Sequence, residues 1–174
     1  MMIKWTFLAV AAGFLIDLLI GDPRWLYHPI RLIGNLIAVL EKGLRRIFPD
    51  TRAGERTAGF FLVILVTAVS AIVPFAILYG AFYLNLWLGF AVEALMCYQI
   101  LATRALRDES MKVYQALKTK DLDQSRKAVS MIVGRDTQNL SEAGVTEAAV
   151  ETVAENASDG VIAPLFYLMI GGPV

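Results

Sequence analysis

Four carboxylates recur at intervals of four residues late in the sequence: Glu147, Glu151, Glu155 and Asp159. An α-helix turns about 100° per residue, so neighbours in this series drift only about 40° apart and share a face. Like charges at this spacing destabilise a helix by roughly 0.2–0.5 kcal/mol per pair. A divalent cation, an arginine or water would offset the repulsion, and oxygen-only ligands suit Mg²⁺. The series therefore predicts either a metal or arginine site or a solvated acidic helix face.

A second candidate is the segment SMIVGRDT, which covers residues 130–137. Gly134 permits a tight turn after a short apolar run. Arg135 could clamp a phosphate or a carboxylate with two parallel hydrogen bonds, while Asp136 and Thr137 could cap the segment that follows. Because Gly-Arg-Asp also occurs in ordinary turns, the bare pattern leaves a phosphate clamp and a plain turn both open.

Two acidic residues, Asp17 and Glu93, stand inside apolar stretches, where an ionisable side chain is costly and indicates function by default. Each has a structural alternative: Asp17 could reach the membrane interface, and Glu93 could pair with a basic residue of a neighbouring helix. Asp22 and His28 lie in the loop after the first apolar stretch. His28 is the only histidine, so the loop is a poor basis for a metal site, and a loop histidine is more often a hydrogen-bonding residue than a catalyst.

Apolar helices must position these residues. The 174 residues are 57% hydrophobic and only 18% charged, whereas soluble domains carry about 25% charged residues. From Thr57 to Thr103 the 47 residues contain one charge, Glu93. As a helix that stretch would be roughly 70 Å long, about twice the thickness of a hydrocarbon core. We therefore predict that it folds back and crosses a membrane twice.

The fold class that we predict is all-α, with polytopic membrane helices and a cytoplasmic helical segment. The spans are expected over about residues 5–20, 58–82 and 86–104. An amphipathic helix is expected over about 30–48 on the membrane surface, and a polar turn over 49–56. Segment 104–160 is expected to be helical, with breaks near 120–121 and 134–136 and a helix over about 145–157, and 161–174 to begin a further, truncated span. A cleaved signal peptide is the alternative for the first span, but the apolar run continues past Ala9-Val10-Ala11.

The basic residues predict the orientation. Of the 16 Lys and Arg, seven lie in residues 21–56 and eight in residues 104–160. Spans two and three form a hairpin between these stretches, so both stretches face one side, which the positive-inside rule makes the cytoplasm. We expect a multi-pass protein of the cytoplasmic membrane with its N-terminus outside. The net charge of zero favours no charged partner, and we expect no nucleic acid.

Three blocks occur in order along these spans: GDPRWLYHPIRLIG (21–34), SMIVGRDT (130–137) and AAVETVAENASDGVIAPLFY (148–167). Together they resemble the adenosylcobinamide-phosphate synthases of cobalamin biosynthesis, the CobD/CbiB type of membrane protein. The resemblance covers essentially the whole chain. Family members continue through further spans, so the chain is expected to be the N-terminal part and to need its missing C-terminal half in cis or in trans.

The resemblance implies a reaction. A carboxylate of adenosylcobyric acid is joined to aminopropanol phosphate in an amide bond, giving adenosylcobinamide phosphate, with ATP as cosubstrate and with Mg²⁺. The corrinoid is thus a substrate, and the other partners are the phosphorylated amine and the lipid bilayer, with homo-oligomerisation left open. The sequence contains no Gly-x-x-x-x-Gly-Lys-Ser/Thr loop, so an ATP site would be of another type or lie beyond residue 174.

Residue roles follow as a hypothesis on the matching motifs. The candidate catalytic residues are Glu151, Glu155, Asp159, Asp22 and His28. The candidate substrate- or phosphate-binding residues are Arg135, Asp136, Thr137, Arg31, Asn156 and Ser158. The candidate Mg²⁺ ligands are Glu151, Glu155 and Asp159, so that the site is the carboxylate series beside Arg135. Two alternatives are a non-catalytic regulatory membrane protein, in which the carboxylates are dispensable, and a transporter of corrinoid precursors, which needs polar residues along its spans.

Overall fold

A computed structural model describes residues 2–23 and 25–174, and every regular element in that part of the chain is a helix. The all-α fold class is therefore confirmed for the described residues. The α-helices, in chain order, are α1 (Met2–Ile20), α2 (Pro29–Ile47), α3 (Arg52–Leu84), α4 (Leu86–Ile100), α5 (Thr103–Lys118), α6 (Leu122–Ser130), α7 (Glu142–Ala157) and α8 (Ala163–Gly171). A π-helix, Ser158–Ile162, connects α7 to α8.

The chain forms two compact units. The first unit contains the described residues up to Pro23 together with Ala94–Gly172. The second unit contains the described residues from 25 to 93 and Pro173–Val174. The carboxylate series and the GRDT segment both belong to the first unit, so their relative geometry can be described directly.

Helices α2 and α3 pack against each other in the second unit. The Thr51 hydroxyl accepts a hydrogen bond of 3.2 Å from the Gly54 N–H, which caps α3, and Glu55 lies in its first turn. Both features favour a helix N-terminus, so α3 begins at Arg52. The polar turn predicted to reach residue 56 is thus too long. An ion pair of 2.8 Å between Arg45 and Glu41 lies on the last turns of α2. The hydrogen bond that Arg45 donates to the Glu41 carboxylate raises the pKa of Arg45 above its ordinary value.

Two stretches within residues 2–23 and 25–174 are long and apolar enough to cross a membrane, namely α3 and Leu86–Lys118. The second stretch joins α4 to α5 through Leu101 and Ala102, which are not helical. Helix α4 ends at Ile100, four residues before the end of the span expected over about 86–104. The apolar part of α1, Trp5–Ile20, is shorter. The limits of the spans and their orientation stay predictions.

The first unit has two apolar clusters. One cluster packs α1, the end of α4 and α8 together through Val10, Cys97, Leu101 and Leu168. The other packs α5, α6 and α7 together through Val113, Val129, Val145 and Ala148. Burial of these side chains fixes which faces of the helices remain exposed.

Polar side chains cap the starts of α6 and α7, two helices of the second cluster. Asp121 caps α6 by accepting a hydrogen bond of 2.9 Å from the Gln124 N–H, at the break expected near residues 120–121. Ser141 caps α7 by accepting a bond of 3.1 Å from the Gly144 N–H. The second break covers residues 131–141 and is longer than the expected 134–136. The Leu140 carbonyl accepts a bond from Arg126, which holds this connection in a folded loop.

Candidate functional site

Helix α7 presents its carboxylates to solvent. Val145 and Ala148 on this helix are fully buried against α5 and α6. Glu147, Glu151 and Glu155 are exposed. One face of α7 is therefore fixed by packing, and the acidic residues are available to a ligand or to a neighbouring loop.

Arg135 reaches α7 from the loop between α6 and α7. Its guanidinium donates a hydrogen bond of 2.7 Å to a carboxylate oxygen of Glu151. The side chains are 52% and 62% exposed, so solvent screening leaves this ion pair a weak contributor to stability. Of the partners that could offset the repulsion along α7, the structure provides an arginine for Glu151.

The structure does not gather the predicted metal ligands Glu151, Glu155 and Asp159. Among the described residues, no three His, Cys, Asp or Glu side chains lie close enough together to hold a metal ion. The reason is geometric, since eight residues of α-helix rise roughly 12 Å, and the backbone becomes π-helical before Asp159. The three carboxylates therefore do not form a preassembled metal site among the described residues, and their role as Mg²⁺ ligands stays a prediction.

The loop places Asp136 and Thr137 differently. Asp136 is exposed, and its carboxylate accepts a hydrogen bond of 2.9 Å from the Gln138 N–H, which stabilises the turn. Thr137 is buried, with 5% of its surface exposed, and its hydroxyl donates a bond of 3.2 Å to the carbonyl of Arg126. Thr137 thus fixes the loop against α6.

A polar hollow of about 440 Å³ lies between α6 and this loop. It is lined by Asp123, Arg126, Lys127, Ser130, Arg135, Asp136, Thr137 and Gln138. Sequence reasoning missed Arg126 and Lys127. The available signal was the pair of adjacent basic residues in the last turns of a short helix, directly before the GRDT segment.

Asn156, Ser158 and Asp159 are exposed where α7 passes into the π-helix. Single π-helical turns inside α-helices are rare. Where they do occur, they often lie at functional sites. The carbonyl of Gly160 accepts a hydrogen bond of 3.1 Å from the Ala102 N–H. The π-helical turn is therefore tied to the non-helical residues between α4 and α5.

Asp17 lies next to the same junction. Its side chain is 1% exposed, and its carboxylate accepts a hydrogen bond of 2.9 Å from the Thr103 N–H, at the start of α5. In return, Arg104 of α5 donates to the carbonyls of Leu18 and Leu19, at the end of α1. Asp17 therefore serves as a helix cap from a distant segment.

Of the remaining predicted residues, Asp22 belongs to the first unit, and His28, Arg31 and Glu93 belong to the second. Asp22 is exposed beyond the end of α1. His28 caps α2, with its Nδ1 accepting a hydrogen bond of 3.2 Å from the Ile30 N–H, and the Arg31 guanidinium lies 5.7 Å from the centre of the Tyr27 ring. Glu93 is buried, with 4% of its surface exposed. The roles of Asp22, His28 and Arg31 in a shared site stay predictions.

Comparison with known proteins decides the family. The family model described as "CobD/Cbib protein" matches residues 10–174. The chain belongs to the CobD/CbiB family. The GRDT loop and the α7–π-helix segment, on which the resemblance depends, both lie inside the matched region of this CobD/CbiB chain.

Curated relatives agree with this assignment. "Cobalamin biosynthesis protein CobD" of Geobacter metallireducens is 48% identical over 163 residues, covering 94% of this chain and 50% of the relative. The protein of the same name in Pelobacter propionicus is 46% identical, covering 95% and 50%, and that of Clostridium perfringens is 42% identical, covering 94% and 51%. The chain thus spans about half the length of the curated relatives that it matches. No solved structure matches it.

Proposed function

We propose that this chain acts in cobalamin biosynthesis as the N-terminal half of a membrane amide synthase. The reaction joins the amine of aminopropanol phosphate to a carboxylate of adenosylcobyric acid and consumes ATP. Membership of the CobD/CbiB family supports the biosynthetic role, since the curated relatives described above carry the name "Cobalamin biosynthesis protein CobD".

The observation that carries the proposal is the ion pair between Arg135 and Glu151. It brings the GRDT loop against the acidic face of α7, so a cation and several carboxylates share one exposed surface. Such a surface can hold a negatively charged group while it keeps a proton acceptor nearby.

The chemistry requires activation, because a carboxylate is a poor acyl donor. In the proposed sequence, a substrate carboxylate oxygen attacks the γ-phosphorus of ATP, ADP leaves, and an acyl phosphate forms. The amine nitrogen then attacks the acyl carbon, loses a proton, and phosphate leaves. Arg135 would stabilise the negative charge that develops on the phosphate oxygens, and Glu155 or Asp159 would accept the proton.

The described residues fit a Mg²⁺ ion only in a limited way. Mg²⁺ commonly uses one or two protein carboxylates and takes its remaining oxygens from water and substrate phosphates. Glu155 and Asp159 are exposed carboxylates that could each serve in this way, although no three acidic groups among the described residues gather to hold a metal. Bound Mg²⁺ would neutralise charge on the transferred phosphate.

We further propose a multi-pass location in the cytoplasmic membrane, with the α5–α7 segment on the cytoplasmic side. The support is the length and apolar character of α3 and of Leu86–Lys118, together with the basic residues in 21–56 and 104–160. The corrinoid and the phosphorylated amine would then reach the site from the cytoplasm.

The test uses a hybrid in which this chain is followed by the C-terminal half of the Geobacter metallireducens relative. Membranes that hold the hybrid receive adenosylcobyric acid, aminopropanol phosphate, ATP and Mg²⁺, and amide product is measured by mass spectrometry. We expect ATP-dependent product, and a loss of at least about tenfold for Glu155→Gln and for Asp159→Asn. Glu142→Gln, at the exposed first turn of α7, is the matched control and should stay within about twofold.

Two results would contradict the proposal. Absence of product from a hybrid that is inserted and folded would reject the synthase reaction. Full activity of the Glu155 and Asp159 variants would reject the site and would favour a non-catalytic role for the acidic face.

A further inference from the structure

We propose that the hollow between α6 and the GRDT loop binds a small phosphate monoester that also carries a protonated amine. This inference rests on the proposed function and assigns one substrate to a place on the chain. It adds Arg126, Lys127 and Ser130 to the residues that recognise the phosphorylated amine.

The first argument for this ligand is the set of charges around the hollow. Arg126, Lys127 and Arg135 contribute three positive charges, and Asp123 and Asp136 contribute two negative charges. The lining residues therefore have a net charge of +1, and Arg135 is also paired with Glu151, which lies outside the lining. A phosphate monoester carries about −1.5 to −2 at neutral pH, so one with an ammonium group has a net charge close to −1. The ligand and the lining are complementary both in net charge and in having both signs.

The size of the hollow carries the second step. Its volume of about 440 Å³ lies at the small end of the usual range for ligand sites, about 300–1,000 Å³. A corrinoid is too large to be enclosed by it. ATP, with about four negative charges, matches the net charge of +1 poorly, whereas a small phosphorylated amine fits within the hollow and matches its charge.

The third argument is that the Arg126 side chain is already held in place before a ligand binds. The Nε–H of Arg126 donates a hydrogen bond of 2.8 Å to the Leu140 carbonyl, and another of its nitrogens lies 3.3 Å from Asp123. The Arg126 side chain is only 27% exposed, so little of its conformational freedom remains to be lost on binding. Arg126 therefore provides a fixed cation in the lining of the hollow, next to the exposed Lys127.

The position of Arg135 links the hollow to α7. Arg135 lines the hollow while its guanidinium is paired with Glu151 at 2.7 Å. A guanidinium has five N–H donors, so it can contact Glu151 and a phosphate oxygen together. The amine of a bound phosphoamine would then lie on the side of the hollow that adjoins the acidic face of α7, where it is needed for amide formation.

The test measures binding to the hybrid protein in detergent, without ATP or corrinoid, by isothermal titration calorimetry. The probes are aminopropanol phosphate, aminopropanol and inorganic phosphate. We expect aminopropanol phosphate to bind at least about tenfold more tightly than either of the other two. Lys127→Gln should weaken it about tenfold, the usual loss for one charge-assisted hydrogen bond. Lys118→Gln, an exposed lysine outside the hollow, is the matched control and should change nothing.

Equal binding of inorganic phosphate and aminopropanol phosphate would overturn recognition of the amine. Equal effects of the Lys127 and Lys118 substitutions would overturn the location.

Kinetic measurements separate this inference from the proposed reaction. Lys127→Gln should raise the KM for aminopropanol phosphate about tenfold while the KM for ATP is unchanged. If amide forms but the KM for aminopropanol phosphate is unchanged, the binding site is wrongly assigned and the proposed reaction is supported. If binding of the phosphoamine depends on Lys127 but no amide forms, the reaction is wrongly assigned and the binding site is supported.

Discussion

The carboxylate of Asp17 and the backbone N–H of Thr103 form a hydrogen bond of 2.9 Å between segments 86 residues apart in the chain. The first N–H groups of a helix lack intrahelical partners, and the N-terminal end of the helix dipole favours a negative charge. α1 supplies that charge to α5, and Arg104 of α5 supplies donors to the carbonyls at the end of α1. Each helix thus caps the other.

Loss of this cap should destabilise the first unit. We expect Asp17→Ala to lower the free energy of unfolding by about 1–3 kcal/mol, because the Thr103 N–H is left without its acceptor. Asp17→Asn keeps an oxygen acceptor and should fall between wild type and Asp17→Ala. Unfolding followed by circular dichroism in detergent measures the effect. Asp22→Ala, which removes an exposed aspartate five residues later, should be nearly neutral, and equal losses for the two alanine variants would contradict the capping role.

Close packing of α1 on α4 gives a second prediction, at Gly13. A Cβ at this position would lie 2.7 Å from the Cys97 Cβ and 2.8 Å from the carbonyl oxygen of Ala94, so the helices would have to separate. Gly13→Ala should therefore destabilise the protein by about 1–3 kcal/mol. Gly80→Ala in α3 meets no atom within 4 Å and should be neutral or stabilising by up to about 1 kcal/mol. Thermal unfolding of both variants checks the contrast, which should vanish if α1 does not pack on α4.

Local signals predicted much of the fold. The apolar spacing of α2 and the Gly-Asp-Pro sequence after α1 are visible in the residues, and Gly21 does adopt a positive φ of 70° at the end of α1. Asp121 likewise indicates the start of α6. These features depend on side chains within a few residues of each other, which a sequence displays directly.

The interruption at Leu101 and Ala102 could not be predicted in this way. The residues around it are apolar or neutral and favour a continuous span, so the break depends on distant partners. Asp17 binds the Thr103 N–H, and Gly160 binds the Ala102 N–H. At the candidate site, the types of Arg135 and Glu151 indicated charge chemistry. The loop that brings them together is held by hydrogen bonds from Arg126 and Thr137 to backbone carbonyls 11 to 14 residues away, which the sequence does not display.

The Arg135–Glu151 pair should matter for activity far more than for stability. A double-mutant cycle with Arg135→Ala and Glu151→Ala should give a coupling of only roughly 0.2–1 kcal/mol in unfolding, because both groups are more than half exposed. Amide formation by the hybrid should fall about 100-fold for Arg135→Ala, the usual loss of one donor to developing negative charge.

The matched control is the exposed pair Lys112–Glu109 on α5, at 2.5 Å. Lys112→Ala should show a similarly small effect on stability and no loss of amide formation. An Arg135→Ala variant that is as active as Lys112→Ala would show that the Arg135–Glu151 pair has no part in catalysis.

The π-helical turn gives the last prediction. A π-helical turn holds one residue more than an α-helical turn, so deletion of Gly160 should let α7 continue into α8 as an α-helix with the flanking residues in register. Helix content should be nearly unchanged. Stability should fall by about 1–4 kcal/mol, because the bond from Ala102 to the Gly160 carbonyl is lost and Pro164 enters the interior of a continuous helix. Amide formation should fall to background, because Asp159 is rotated away from its present position.

Gly160→Ala is the matched control for this deletion. The added Cβ would lie 3.6 Å from the Ala102 Cβ, an ordinary contact, so the turn keeps its length and its hydrogen bond. This variant should retain activity within about threefold, a cost of less than about 1 kcal/mol. Circular dichroism and the product assay compare the two variants. Equal activity would mean that the extra residue has no part in positioning Asp159, whereas loss only on deletion assigns the function of this segment to its π-helical backbone.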